Sequence, residues 1–432
     1  MRPYDTRIRA RRGQPVALAI LALLACSLRF ADAATAPAKT SKYLYAWAGA
    51  QNASLARDSL FVFSVEDGPD FGKLLNIVET PYNGLEPHHC RTSVTGRWLA
   101  CSCMLAVFFK LPSIIFFSLA DPAKPVMLTN VTLPIHSAVA DEFVATPDGG
   151  FLATMMTNAS GWAPGRVARY DGNLKLVGEY PEDLSQLAPA PGFNPHGIGA
   201  DFTHQTMLTV DYLEPASSLV GNTLIYRKTA RLWSLKNMSI IGTYVLPETQ
   251  KSKGAMDAVA IGETGGYYLT GGNGRLMYLN GSLGEKAVPE VVYHLGPKDG
   301  SAVSCILQPF RRGTRLLMSM FAYGYVVLLN TTNPRRPQAL DAYTLPYRAG
   351  GHVVRISKDE RLVAVATYFL DEGAIGQIHY PGDRTVRFIR LNVPGTRFVT
   401  KEEWPYSRGP VLNFTELLPG KGGFRTHGLA FL

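Results

Sequence analysis

The sequence predicts an all-β fold, a seven-bladed β-propeller with four-stranded blades, on three observations. Short strands rich in Val, Ile, Phe and Tyr run the length of the chain between turn residues, without long amphipathic helical patterns. One strand type recurs as "LFVFSVED", "IIFFSLAD", "GRVARYD", "ARLWSLKN", "GRLMYLN", "GYVVLLN" and "VRFIRLN". The first repeat, "YLYAWAG" with "LFVFSV", lacks a strand, and the last residues, "THGLAFL", supply a spare one.

The recurring strands end at Asp67, Asp121, Asp171, Asn237, Asn280, Asn330 and Asn392, at spacings of 54, 50, 66, 43, 50 and 62 residues. Units of about 50 residues fit a four-stranded meander repeated round a ring. Two turns continue alike, Asp121-Pro-Ala-Lys-Pro125 and Asn333-Pro-Arg-Arg-Pro337. If the recurring strand is third in each blade, the innermost strands start near His89, His136, His196, Asp257, Ser301, His352 and His427. The C-terminal strand then completes the first blade and removes the ring's exposed edges. One domain results, within residues 34–432 and beginning near Ser41.

Residues 1–33 read as a signal peptide: an arginine-rich start, an apolar run from Pro15 to Leu28, and Ala31-Asp32-Ala33 as a small-x-small cleavage site. The run falls short of the ~20 apolar residues a spanning helix needs, so no stable membrane span is expected after its removal. Leu23 to Cys26 also reads as a bacterial lipoprotein box. Against that stand seven Asn-x-Ser/Thr sites, at Asn52, Asn130, Asn158, Asn237, Asn280, Asn330 and Asn413. Chance would supply roughly two. They predict a secreted glycoprotein with glycans at solvent-facing turns, those at Asn237, Asn280 and Asn330 sharing one repeat phase.

Loss of residues 1–33 removes six arginines and two aspartates, so the formal charge falls from +9 to +5. That modest excess is not organised into runs of Lys and Arg, so nucleic-acid binding has no specific support. The apolar stretch from Met104 to Ala120 is interrupted by Lys110 and Pro112 and reads as two buried strands.

The chain has nine histidines, and two stand together in "YNGLEPHHCRTS", residues 82–93. Adjacent strand residues point to opposite faces, so His88 and His89 serve one site only where the backbone frays. His89 precedes Leu99 by ten residues, as His352 precedes Leu362. Six of the nine, His88, His89, His136, His196, His352 and His427, fall at the start of an innermost strand, on five neighbouring blades. His204, His294 and His379 read as turn or surface residues. Asp257 is the one carboxylate assigned to that phase. Clustered imidazoles favour copper or zinc over calcium or magnesium, whose ligands are hard oxygens. The competing reading is that each histidine caps its strand by bonding backbone. Cys101 and Cys103 share a strand face, as buried hydrophobes, as partners of Cys90 or Cys305 in a disulfide, or as a redox pair.

The stretches "TPYNGLEPHHC", "IIFFSLADPAKPVM", "LPIHSAVADEF", "TVDYLEPASSL", "TNPRRPQAL" and "GQIHYPGD" occur in the order of similar segments of one family. Over nearly the whole mature chain the sequence resembles the selenium-binding proteins, whose members include methanethiol oxidases. That resemblance implies copper bound by histidines, and oxidation of methanethiol with O2 and water to formaldehyde, hydrogen sulfide and hydrogen peroxide. Carried over by motif, the ligands would be His88, His89, His136 of "PIHSA", and His427. The last replaces an Ala-His-Glu-like motif by Thr426-His427-Gly428 and lacks its glutamate. His196 and His352 would be further ligands or support. The family's selenium-associated Cys-x-x-Cys has Cys101-Ser102-Cys103 in its place.

The expectation is therefore a secreted copper-dependent oxidase, with zinc as the alternative metal, acting on a small thiol and O2. A metal- or selenium-binding propeller without turnover is the competing reading. A lactonase-type hydrolase ranks third, because it needs carboxylate and asparagine ligands where only Asp257 offers one.

Overall fold

Seven antiparallel four-stranded sheets form the ring. The structure, a computed structural model, describes residues 40–432 apart from 189, 191, 248–253, 272–273, 295–303, 322–323, 347–348, 374–375, 400–402 and 408. The leader with Cys26, and Ser301, lie outside the described residues.

Closure follows the predicted route. Phe424–Phe431 is the innermost strand of blade 1 and pairs with Tyr43–Ala50, in the register Leu44 with Phe431 and Trp47 with Gly428. Ser59–Ser64 and Leu74–Glu79 complete the blade outwards. Such strands are apolar on both faces because each blade is packed between two others. Leu44, Tyr45, Ala46, Trp47 and Ala48 are accordingly all buried. Phe61 meets Phe424 edge-on at 4.9 Å and Phe414 at 5.2 Å, joining the closing strand to the last blade.

The other innermost strands are Pro87–Thr92, Ser137–Ala145, Pro195–Asp201, Ala258–Ala260, Ser304–Phe310 and Val353–Ile356, opening blades 2 to 7. Several lose register where they line the axis. Pro87 pairs with Cys103 and Cys90 with Cys101, leaving His88 and His89 opposite Ser102 alone. Ala140 pairs with Met155 and Phe143 with Ala153, so Asp141 and Glu142 face Thr154 alike. His196 and Gly197 lie in the same break of blade 4, and His427 in that of the closing strand. A β-bulge of this kind bends the strand and re-aims its side chains.

Insertions between second and third strands sit at the mouth where the innermost strands begin. They are the turn Ala106–Phe109 in blade 2, the helix Pro215–Leu219 in blade 4, and the hairpin Leu370–Asp371 with His379–Tyr380 in blade 7. The apolar stretch from Met104 to Ala120 is this turn followed by the strand Ile114–Ser118. Among the described residues no helix is long and apolar enough to cross a membrane.

None of the seven sequon asparagines is buried. Asn52, Asn130 and Asn237 are exposed; Asn158, Asn280, Asn330 and Asn413 are half-buried. Asn280 and Asn330 are less open than expected because each Oδ1 accepts the N–H and hydroxyl of the residue two ahead, Ser282 or Thr332. Asn52 and Asn413 make the same Asx turn, so the Asn-x-Ser/Thr spacing also has a turn-forming role.

Candidate metal centre

In blades 2 and 3 a hydroxyl on the second strand holds the bulge open. The His89 N–H donates to Ser102 Oγ at 2.8 Å, and that hydroxyl donates back to His89 O at 3.2 Å. Glu142 N–H donates to Thr154 Oγ1 at 3.0 Å, and Asp257 N–H to Thr270 Oγ1 at 2.9 Å. With one backbone pairing replaced in this way, both members of His88–His89 and of Asp141–Glu142 can turn towards the axis. The adjacency of His88 and His89 is explained by this bulge.

Five imidazoles converge. Ring centroids of His88 and His427 lie 3.6 Å apart, His352 and His427 4.4 Å, and His88 and His89 4.6 Å. His196 stands edge-on to His88 at 6.4 Å and to His89 at 6.2 Å. All five are at most 2% exposed. His88, His89 and His427 can bring one nitrogen each within 4.8 Å of the others. His88, Asp141 and His196 form a second such group.

His136 is not part of this cluster, contrary to expectation. Its side chain is exposed and its N–H donates to Glu179 Oε2 at 2.8 Å. The bulge of blade 3 comes five residues later, so Asp141 and Glu142 occupy the place that His88 and His89 hold in blade 2. The expectation that Asp257 is the one carboxylate at this phase is corrected by the same finding. The ten-residue interval from His89 to Leu99 also runs from Glu142 to Leu152 and identifies the phase from sequence. His204 and His379 pair with Asp201 and Asp371 at 2.9 and 3.0 Å, away from the cluster.

Cys101 and Cys103 are not a redox pair: Cys90 and Cys101, cross-strand neighbours, form a disulfide, and Cys103 is a buried thiol. Burial pushes that thiol well above its ordinary pKa, which disfavours the reactive thiolate.

Burial and mutual proximity set the electrostatics of the cluster. Burial holds His88 down to about 4, against the opposing pull of Asp141. Burial and the surrounding imidazoles hold His352 and His427 well below the usual range. For Asp141 burial acts upwards, but His196, His89 and His88 outweigh it and bring the carboxyl to about 2. Glu142 is also buried and is held low by Arg355 at 2.7 Å, His89 and Arg91. Asp257 goes the other way, to about 7, through burial and the charge of Glu142.

Both ring nitrogens of His88, His89, His352 and His427, and both carboxylate oxygens of Asp141, are buried without a well-formed hydrogen bond, His88 Nε2 and His89 Nδ1 lying 3.3 and 3.1 Å from Asp141 Oδ2 and Glu142 Oε2. Such groups are normally satisfied, since leaving one unmet costs about 1–3 kcal/mol. Lone pairs from five side chains facing one space fit a transition-metal ion, with His nitrogen and one carboxylate as donors. A small pocket of about 30 Å³ adjoins it, lined by His88 and His196 with Met104, Leu105, Met156 and Phe369.

No family model matches the chain, and neither does any curated protein. Solved structures do. A hypothetical selenium-binding protein from Sulfolobus tokodaii aligns with a TM-score of 0.68 at 14% identity, over 91% of this chain and 94% of its own. The periplasmic gluconolactonase of Pseudomonas aeruginosa aligns with 0.59 at 13%, over 90% and 99%. At these identities the likeness is one of fold.

Proposed function

We propose that the protein is a secreted, copper-dependent oxidase of a small thiol, converting methanethiol, O2 and water to formaldehyde, hydrogen sulfide and hydrogen peroxide. The observation that carries this reading is the buried cluster of unpartnered imidazoles beneath a small apolar pocket. Bound copper supplies one-electron redox chemistry and affinity for sulfur. Met104, Leu105, Met156 and Phe369 exclude water and limit the substrate to a few heavy atoms. Neutral His88 and His196 face that space and keep their lone pairs for the metal. Export is part of the proposal and rests on the leader and the sequons.

The test is thiol-dependent peroxide and formaldehyde release by the copper-loaded protein. His88→Ala should abolish both and lower copper content while leaving circular dichroism unchanged. A copper-loaded native protein that releases neither product sinks the oxidase. A second reading, metal-dependent lactone hydrolysis, gains from Asp141 and Glu142, which supply carboxylates at the histidine phase. Acid release from gluconolactone, without peroxide from thiols, would favour it.

A further inference from the structure

We propose that Asp141 is a direct metal ligand, forming with His88 and His196 a three-ligand cup whose open position faces the apolar pocket. The inference rests on the metal-centre reading and names a ligand set different from the four histidines implied by resemblance.

Distances come first. His88 Nε2 and His196 Nε2 lie 3.3 and 3.2 Å from the same atom, Asp141 Oδ2. Ligand atoms at about 2.0–2.1 Å from a tetrahedral ion stand about 3.3–3.4 Å apart along an edge. Yet neither Asp141 oxygen has a hydrogen-bond partner, and neither does His88 Nε2. The spacing is the one expected of donors that share a cation.

The surroundings of the carboxylate point the same way. The other buried acids among the described residues each receive a guanidinium or a backbone N–H. Glu142 has Arg355, Glu86 has Arg425, Asp211 has Arg231, Glu214 has Arg227, Asp58 has Leu85 N–H and Asp257 has Leu307 N–H. Glu179, Asp201 and Glu372 accept from the N–H groups of His136, Thr203 and Gln377. Asp141 receives neither, and its surroundings are imidazoles on three sides. A buried carboxylate with neither guanidinium nor backbone N–H beside it calls for a cation among those imidazoles.

His196 is also set for coordination. Its Nδ1 lies 2.6 Å from Met256 O, so Nδ1–H donates to that carbonyl and Nε2 keeps its lone pair towards Asp141. Backbone carbonyls commonly fix metal-ligating histidines in this manner. His88 and His196 line the pocket, whereas His89, His352 and His427 do not. Three protein ligands with a vacant position are the usual arrangement where a metal must also take a small ligand.

The test uses the full secreted chain, stripped by chelator and reloaded with Cu(II). Asp141→Asn keeps the side chain's shape and should weaken copper by more than about tenfold in competition titration. It should also shift the g and hyperfine values of the paramagnetic resonance spectrum. His352→Ala should bind within threefold of the native protein. Leu105→Trp should keep copper and suppress the azide charge-transfer band, because it fills the pocket. Pulsed resonance on the native protein should count two strongly coupled equatorial nitrogens, a readout that does not depend on any variant folding. Four such nitrogens, native affinity and spectrum in Asp141→Asn, or undiminished azide binding in Leu105→Trp would each overturn the proposal. A protein that passes these tests but oxidises no thiol would leave the ligand set standing and remove only the oxidase.

Discussion

Stripping the metal should lower the melting temperature by about 3–5 °C. The perturbation centres on His88 and Asp141, whose polar side-chain atoms are buried and unpartnered. Without a cation each is an unmet group worth about 1–3 kcal/mol, against a total stability of about 5–15 kcal/mol for a typical domain. A cation at a hundredfold to thousandfold excess over its dissociation constant stabilises the folded state by about 2.7–4.1 kcal/mol. Unfolding entropy of about 2.1 cal/mol/K per residue, over roughly 390 residues, amounts to about 0.8 kcal/mol/K. Dividing one by the other gives the expected shift. Differential scanning calorimetry should compare chelator-stripped protein with the same sample reloaded with Cu(II) or Zn(II). His88→Ala should lose most of the increment, whereas His379→Ala, half-exposed and paired with Asp371, should retain it. Coincident melting of stripped and reloaded native protein would refute the reasoning, because the imidazoles would then be satisfied without a metal.

Two further expectations concern charge and glycans. In the metal-free protein Asp257 is raised to about 7, first by burial and then by Glu142. Between about pH 4 and 7 folded Asp257 keeps a proton that the unfolded chain has released, so its own contribution to stability falls across that window, against the rise that the depressed pKa values of His88, His196, His352 and His427 produce. Urea unfolding at pH 4.5 and 7 measures the slope, and an unchanged slope in Asp257→Asn would assign it elsewhere. In a eukaryotic secretory host, exposed Asn52, Asn130 and Asn237 should carry glycans, read by glycopeptide mass spectrometry. Asn158 should not, since its Nδ2 donates to Ala163 O at 3.3 Å and its Oδ1 accepts from Ser160 and Trp162. A chain unchanged in mass after peptide N-glycosidase would remove the support for glycosylation.

The ring was legible because its signals add up over seven copies. Each "LFVFSVED"-like strand is ambiguous alone, but their spacing and the unpaired "THGLAFL" leave few other topologies. The centre was legible only in part, for a physical reason. In a regular strand neighbouring side chains part to opposite faces, and a bulge suspends that rule for two residues. In blade 2 the doublet is His88–His89, and rarity of the residue type made it visible. In blade 3 it is Asp141–Glu142, which reads as an ordinary acidic pair. Choosing His136 there followed residue type and ignored interval: it stands five residues before Asp141, the first residue of the bulge. The interval from Glu142 to Leu152 is the same ten residues that relate His89 to Leu99 and His352 to Leu362, and it carries the phase whatever the side chain. The hydroxyl opposite is a second marker, Ser102 behind His89 and Thr154 behind Glu142. A chemically common residue at the right interval with its supporting hydroxyl therefore outweighs a rare residue near it. Asp141, which no composition argument would select, is placed beside the histidines by that rule.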